Sequence, residues 1–395
     1  MSGPLAGIRV LDLGQVLAGP YATLTLAALG ADVVKLEDPD RPDPARATGP
    51  CFLGDQSVYF AALNGGKRSL AVRLSSEEGR HVVRDLVRRV DVVVDNFRPG
   101  VTAKLGLADA DLRPLNPGLI TCSVTAFGET GRDAQRPGYD YTVQALAGVM
   151  SLGGEPGGPP VKAGISYVDH SGGLAAALAV CAALVERART GVGRHIDLGL
   201  LDVQVSMLSY LAAWGLTAGY VPERFSGGAH PSLVPAQVFA TADGWLSIFV
   251  GNDGLWAKLV AAIGDARLAA PQLATAEGRL RERETVVGVL GEVLARRTTR
   301  EWADVLVPVG VPAAPVNRLN EALAEAQVVE RGLVTRVEHP SYGGYGHVTG
   351  PLPALAGGPL APAPTLGEHT RELLAEIGYD VFAVDRLLAD GAVVG

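Results

Sequence analysis

The sequence predicts an α/β fold with a parallel-sheet large domain, a smaller α+β domain, and a closing segment that returns to the first. Short β-branched runs alternate with helical patterns through the first half of the chain. Strand, helix and strand fit within about 30 residues, with Gly30 ending the helix, the spacing of a βαβ unit. From about Val221 the pattern changes to closely spaced strands joined by an Asp-Gly turn.

In chain order, Ile8–Leu13 is the first predicted strand and Tyr21–Leu29 the first helix, ended by Gly30. Strands follow at Asp32–Glu37, Ser69–Arg73, Asp91–Asp95 and Leu119–Val124, with a helix at Ser76–Arg89. Parallel strands of this kind make a Rossmann-like sheet. The loop Gly14–Pro20 then lies at the carboxyl end of the first strand, where open α/β sheets bind ligands. Arg194–Asp197 reads as a strand and Leu198–Leu216 as one long apolar helix. In the small domain, Phe239 to Ile248 reads as two strands around Asp243-Gly244. Helices are predicted at Gly254–Ile263, Glu284–Ala295 and Thr299–Val307, with Pro308, Pro312 and Pro315 punctuating the end. Residues 1–220 form the first part of the large domain, 221–320 the small domain and 321–395 the return. The return is rich in Pro and Gly between Gly332 and Pro364 and helical from Gly367.

Composition bounds the function. A chain of 395 residues favours two units, and 48% hydrophobic with 19% charged residues and 50 glycines fits an α/β enzyme with many tight turns. The net charge of −8 argues against nucleic acid and anionic membranes as partners, so any grip on phosphates must be local. Cys51, Cys122 and Cys181 are widely separated, with neither metal spacing nor a disulfide framework, which suits the reducing cytoplasm. Arg9 and Asp12 interrupt the N-terminus before any secretion signal could form. The run Gly172–Val185 is too short to cross a bilayer and reads as a buried helix.

Asp169 is the leading candidate for chemistry. It follows a glycine-bearing loop and stands directly before the apolar helix, facing the helix's positive end. A plain N-cap accounts for the same position, and either role keeps the carboxylate ionised. An ionised carboxylate aimed at a ligand is what a nucleophile requires.

Motifs along nearly the whole chain resemble the family III CoA-transferases of the CaiB/BaiF type. That group includes formyl-CoA transferase, carnitine CoA-transferases and 2-methylacyl-CoA racemases. The motifs are Val10-Leu11-Asp12, Ala18-Gly19-Pro20, Gly30 to Glu37, Asn64, Lys67-Arg68-Ser69 and Asp95 to Gly100. Asn116-Pro117, Phe127-Gly128, Pro137 to Tyr141, the Asp169 block and Leu366 to Thr370 complete them. The resemblance implies that Asp169 attacks an acyl-CoA thioester, passing through aspartyl anhydride and aspartyl-CoA intermediates on the way to a free carboxylic acid acceptor. It implies CoA as substrate with no tightly bound cofactor and no metal, and two chains interlinked as rings in a homodimer. It sets Val16, Leu17, Ala18, Val72, Asn96, Phe97 and Lys104 along the CoA site, with Arg98 and Gly138-Tyr139-Asp140 beside them.

Departures from the family pattern narrow the reading. The racemases carry a histidine where this chain has Tyr139, and an ordinary tyrosine is a poor base at neutral pH; this favours transfer over epimerisation. Formyl-CoA transferase carries basic residues at the positions of Asp38, Lys104 and Pro137, of which only Lys104 keeps the charge. Arg41, Arg46 and Arg98 are possible replacements. Gly227-Gly228-Ala229-His230-Pro231 is shorter than the glycine run of the formyl-CoA branch and looks more like branches acting on longer or dicarboxylic acids. His230 could orient an acceptor or simply cap its loop, and His170 is expected to point away from the site. A dehydrogenase is disfavoured because Gly14 to Gly19 lacks the dinucleotide glycine spacing. A non-catalytic CoA-binding protein is disfavoured by the intact Asp169 block.

Overall fold

A seven-stranded sheet organises the first of two units, which comprises Met1–Ala147, Gly164–Met207 and Ala326–Gly395. The computed structural model describes residues 3–356 and 358–395. The unit opens with β1 (Arg9–Asp12), α1 (Ala18–Ala28) and β2 (Asp32–Glu37). Helix α1 starts earlier than the pattern predicts, since Pro20 in its first turn needs no N–H partner. Next come α2 (Val58–Asn64), β3 (Lys67–Val72), α3 (Glu77–Val87), β4 (Val92–Asp95) and β5 (Ile120–Thr125). Then follow α4 (Asp140–Leu146), α5 (Tyr167–Thr190), β6 (His195–Gly199) and α6 (Leu200–Met207).

The second unit, Gly148–Ala163 with Leu208–Glu325, holds an antiparallel three-stranded sheet. Its strands are β7 (Ala236–Ala240), β8 (Trp245–Phe249) and β9 (Ala313–Pro315), in the order β9-β8-β7. Helices α7 (Ser209–Ala218), α8 (Asp253–Ile263), α9 (Arg283–Leu294) and α10 (Thr299–Leu306) belong with them. Phe239, Leu246, Ile248, Trp256, Leu290 and Trp302 form their core.

The chain then returns to the first unit with the hairpin β10 (Val334–His339) and β11 (Gly343–Val348), then α11 (Thr370–Glu376), α12 (Val381–Ala389) and β12 (Val393–Val394). The large sheet runs β12-β3-β2-β1-β4-β5-β6, parallel throughout except for β12. Val10 of β1 pairs with Val33 on one side and Val92 on the other. Strand order therefore reverses at β1, and the crevice at the carboxyl ends of β1 and β4 is the switch point where such sheets take ligands. Alternation sends Val10, Val33 and Val92 to a core shared with α1 and α5, and Leu11, Val34 and Val93 to one shared with α3, α11 and α12.

Two boundaries differ from expectation. The apolar run read as one helix is broken into α6 and α7, with Ser209, the first residue of α7, at a φ of +43°, and the longer segment of the second unit starts at Leu208 and not at Val221. The glycine-rich segment Gly148–Ala163 joins the second unit, a non-local association that local pattern cannot show. Helix α5 is longer than its apolar run. By length and composition alone it would pass for a membrane span, yet Gly172, Gly173, Ala176, Ala177 and Val180 are buried on the sheet side.

Candidate active site

The loop after β1 is gripped at nearly every backbone polar group. Gly14 N donates to Asp12 Oδ1 at 2.8 Å and Gly14 O accepts from Lys35 Nζ. Gln15 N donates to Asn96 Oδ1 at 2.7 Å, and Gln15 O accepts from Asn96 Nδ2 at 2.8 Å. Val16 N donates to Asp43 Oδ1 at 2.9 Å, and Val16 has a φ of +63°. A β-branched residue in the left-handed region is strained and persists only where its surroundings hold it.

Those surroundings are a buried ion network. Lys35 Nζ meets Asp43 Oδ2 at 2.9 Å and Lys67 Nζ meets Asp12 Oδ2 at 2.9 Å, all four side chains shut off from solvent. Lys67 also donates to Asn64 Oδ1 and Pro20 O. Glu37 takes both ends of Arg46, whose guanidinium lies 3.8 Å from the centre of the Phe60 ring. Burial pushes the Lys67 ammonium down to about 8, partly offset by Asp12. Burial also pushes the Asp12 carboxyl up, but Lys67 and Lys35 outweigh it and hold the group below its ordinary value. Removing one member of such a buried pair costs about 3–5 kcal/mol.

The opposite lip comes from the end of β4. Asp95 Oδ1 accepts from Phe97 N at 3.1 Å and Oδ2 from Ser123 Oγ at 2.8 Å, which fixes the turn carrying Asn96 and Phe97. Burial pushes the Asp95 carboxyl up to about 6 against these bonds.

Asp169 lies in the first turn of α5, three residues beyond the N-cap position, which Ser166 holds. Asp140 at the start of α4 accepts from Val168 N at 3.0 Å and from Gln144 Nε2 at 2.8 Å, so it ties α4 to the first turn of α5. Asp169 lines a cleft of about 150 Å³ together with Val16, Leu17, Ala18, Asn96, Phe97, Arg98, Arg136, Gly138 and Tyr139. The nearby Tyr59 phenol is pushed up to about 12, chiefly by burial and further by the charges of Asp169 and Asp43. A second cleft of about 480 Å³ shares Gln15 and Phe97 with the first and is lined by Asp38, Asp40, Arg41, Leu74 and Val101.

Known proteins are similar to this chain over nearly its whole length. The family model described as "CoA-transferase family III" matches residues 5–370. The chain belongs to that family. A succinyl-CoA:glutarate CoA-transferase of Mus musculus is 38% identical over 99% of this chain and 90% of its own length. A succinate–glutarate CoA-transferase of Agrobacterium fabrum is 41% identical over 95% of this chain and 96% of its own. A crystal structure of a CaiB/BaiF family protein from Brucella suis superposes with a TM-score of 0.84 at 36% identity, covering 95% of this chain and all of that one.

In this family III CoA-transferase, the cleft gathers the expected Val16, Leu17, Ala18, Asn96, Phe97, Arg98, Gly138 and Tyr139 around Asp169. Three expected residues stand elsewhere. Val72 is wholly buried in β3 and faces the core. Lys104 is exposed on a short helix, Val101–Leu105, and lines neither cleft. Asp140 is buried, lines neither cleft and accepts a bond from the first turn of α5. The Asn96 amide, expected to face a ligand, is engaged with Gln15. Of the candidate phosphate-binding arginines, Arg98 and Arg41 line the two clefts while Arg46 is committed to Glu37. His170 turns to Ser166 O at 2.7 Å and packs edge-on against Tyr21. Arg136 and Tyr59 were not singled out in the sequence. Arg136 directly precedes the Pro-Gly-Tyr-Asp motif, and that adjacency was the available signal. Among the described residues no cluster of His, Cys, Asp and Glu could hold a metal ion.

Proposed function

We propose that this enzyme transfers CoA between dicarboxylic acids with Asp169 as covalent nucleophile. The carboxylate attacks the donor thioester carbonyl and expels CoA thiolate, leaving an acyl-aspartyl anhydride. The thiolate attacks the Asp169 carbonyl, releasing the donor acid and forming an aspartyl-CoA thioester. The acceptor carboxylate displaces the thiolate to make a second anhydride. The thiolate then attacks the acceptor acyl carbon and regenerates Asp169. Each step exchanges one activated acyl bond for another, so activation is conserved.

The observation that carries this proposal is Asp169 in the first turn of a 24-residue helix, lining the cleft at the switch point of the sheet. Helix N-termini favour a negative charge there. A dicarboxylic substrate is supported by the two glutarate-using relatives and by Arg98 and Arg136 in the cleft wall. The adjoining larger cleft, with Arg41 on its rim, suits the nucleotide end of CoA. A homodimer with interlinked chains accords with the apolar residues Leu174, Leu178 and Val185 exposed on α5 and Val205 and Met207 on α6. Three separate free thiols fit a cytoplasmic setting.

The test is trapping. Incubation with succinyl-CoA and then hydroxylamine converts an activated Asp169 to its hydroxamate, read by peptide mass spectrometry. Turnover without any mark on Asp169 refutes the mechanism.

A further inference from the structure

We infer that Asp43 is a positioning residue for the transfer reaction: with Lys35 it holds Val16 in its left-handed conformation and so fixes part of the wall of the cleft that Asp169 lines. The inference rests on Asp169 as the reacting carboxylate.

Asp43 itself is 1% exposed and lines neither cleft. It acts at a distance through one peptide group. Its Oδ1 accepts from Val16 N and from Ala45 N, both at 2.9 Å, and its Oδ2 accepts from Lys35 Nζ at 2.9 Å. Its own N–H donates to Glu37 Oε1 at 3.1 Å, so the acceptor is anchored before it reaches the loop. Lys35 closes the circuit by donating to Gly14 O, two residues before Val16.

Asn96 and Asp43 hold the two ends of one planar peptide group, Asn96 through the Gln15 carbonyl and Asp43 through the Val16 N–H. Asp43 is the member of this pair that is itself buried and anchored to Lys35. Val16, Leu17 and Ala18 then present a continuous wall to the cleft that holds Asp169. Leu17 is the N-cap residue of α1 and makes no side-chain cap, so nothing local in the helix compensates if Val16 relaxes. A valine freed from Asp43 returns to negative φ and carries Leu17 with it. A glycine at the same place takes positive φ readily.

The experiment is a double-mutant cycle on the full-length enzyme, with Asp43→Ala and Val16→Gly made singly and together. Steady-state CoA transfer is the readout, and thermal unfolding confirms that each protein folds. Asp43→Ala is expected to lower kcat by about tenfold or more, where tenfold corresponds to ~1.4 kcal/mol on the barrier, while KM for the acyl-CoA changes less. In the Val16→Gly background the same replacement is expected to cost at least about threefold less, a coupling typical of residues in direct contact. Should Asp43→Ala not fold, Asp43→Asn, which preserves volume and the Oδ1 acceptor but not the charge facing Lys35, is put through the same cycle. Equal losses in the valine and glycine backgrounds, or an unchanged kcat, would overturn the inference. Because the cycle is read on overall transfer rate, it stands apart from the trapping experiment. An unmarked Asp169 would sink the mechanism and still leave the Asp43–Val16 coupling measured.

Discussion

Asn96 and Gln15 form a reciprocal amide pair, with Asn96 Oδ1 accepting the Gln15 N–H at 2.7 Å and Asn96 Nδ2 donating to the Gln15 carbonyl at 2.8 Å. The loops after β1 and β4 are thereby locked across the switch point of the sheet. Asn96→Asp keeps the acceptor and replaces the donor with an oxygen facing the Gln15 carbonyl. Losing that bond and leaving the carbonyl unmatched is expected to cost about 1–3 kcal/mol of stability. Because both loops line the cleft, KM for the acyl-CoA is expected to rise together with the fall in Tm. Kinetics and thermal denaturation on one preparation check both effects.

Replacing the candidate nucleophile separates binding from chemistry. Asp169→Ala is expected to lower transfer by about 10⁴-fold or more, in line with removal of nucleophiles in other enzymes. The larger cleft is formed without this residue, so CoA affinity measured calorimetrically is expected to stay close to that of the parent.

Asp95 makes stability depend on pH in an uncommon direction for a carboxylate. Burial raises its folded value from 3.8 to about 6, so the folded state binds the proton more tightly than the unfolded chain. Its stabilising contribution is fully present below the unfolded value and is lost as pH rises through about 6, a change of roughly 3 kcal/mol. Asp95→Asn removes this dependence. Denaturant melts of both proteins at pH 4.5 and 7.5 are expected to show the variant gaining relative to the parent at the higher pH. A constant difference between the two proteins at both pH values would contradict it.

Much of the sheet was legible because strand periodicity and glycine punctuation are local. The second strand, Asp32–Glu37, has the bounds expected of it, and Ser76 caps α3 where the helix was expected to start. The break at Ser209 was not legible, since Leu198–Leu216 is largely apolar and no Gly or Pro marks position 209. In the site, the apolar wall and Asp169 could be read from motifs, but the roles of Asp43, Asp140 and Asn96 could not. Each acts on a backbone group far along the chain, as Asp43 does on Val16, and charge on a sequence reads first as surface. Val72 shows the converse limit, because family position alone does not tell which strand residues face the core.

Arg136 carries the proposed selectivity. Its Nη1 lies 3.2 Å from Asp133 Oδ2, leaving the guanidinium on the cleft wall. A charge-assisted bond to the free carboxylate of a dicarboxylyl donor contributes about 1.5–3 kcal/mol. Arg136→Gln is therefore expected to raise KM for succinyl-CoA by about tenfold relative to acetyl-CoA, at ~1.4 kcal/mol per factor of ten. An equal rise for both donors would assign the residue to the CoA phosphates instead.

Close approach of α5 to α1 sets the position of Asp169. Gly173 lies four residues after Asp169 on α5, and therefore on the same face of the helix. A Cβ there would come within 2.8 Å of Ala18 O and 3.2 Å of Ala22 N, both backbone atoms of α1. Neither can swing aside like a side chain, so the helices must part. Gly173→Ala is expected to cost about 1–3 kcal/mol, the range for overpacking a filled core, even though alanine favours the helix itself. Since Ala18 also lines the cleft, parting α1 from α5 widens the gap between the wall and the nucleophile, and kcat is expected to fall with Tm. Gly288 supplies the contrast. It lies within α9, with nothing inside 4 Å of the position a Cβ would take. Gly288→Ala is expected to gain up to about 1 kcal/mol from helix propensity and leave transfer unchanged. A Gly173→Ala enzyme as stable and as fast as the Gly288→Ala one would show that close contact between the two helices does not position Asp169.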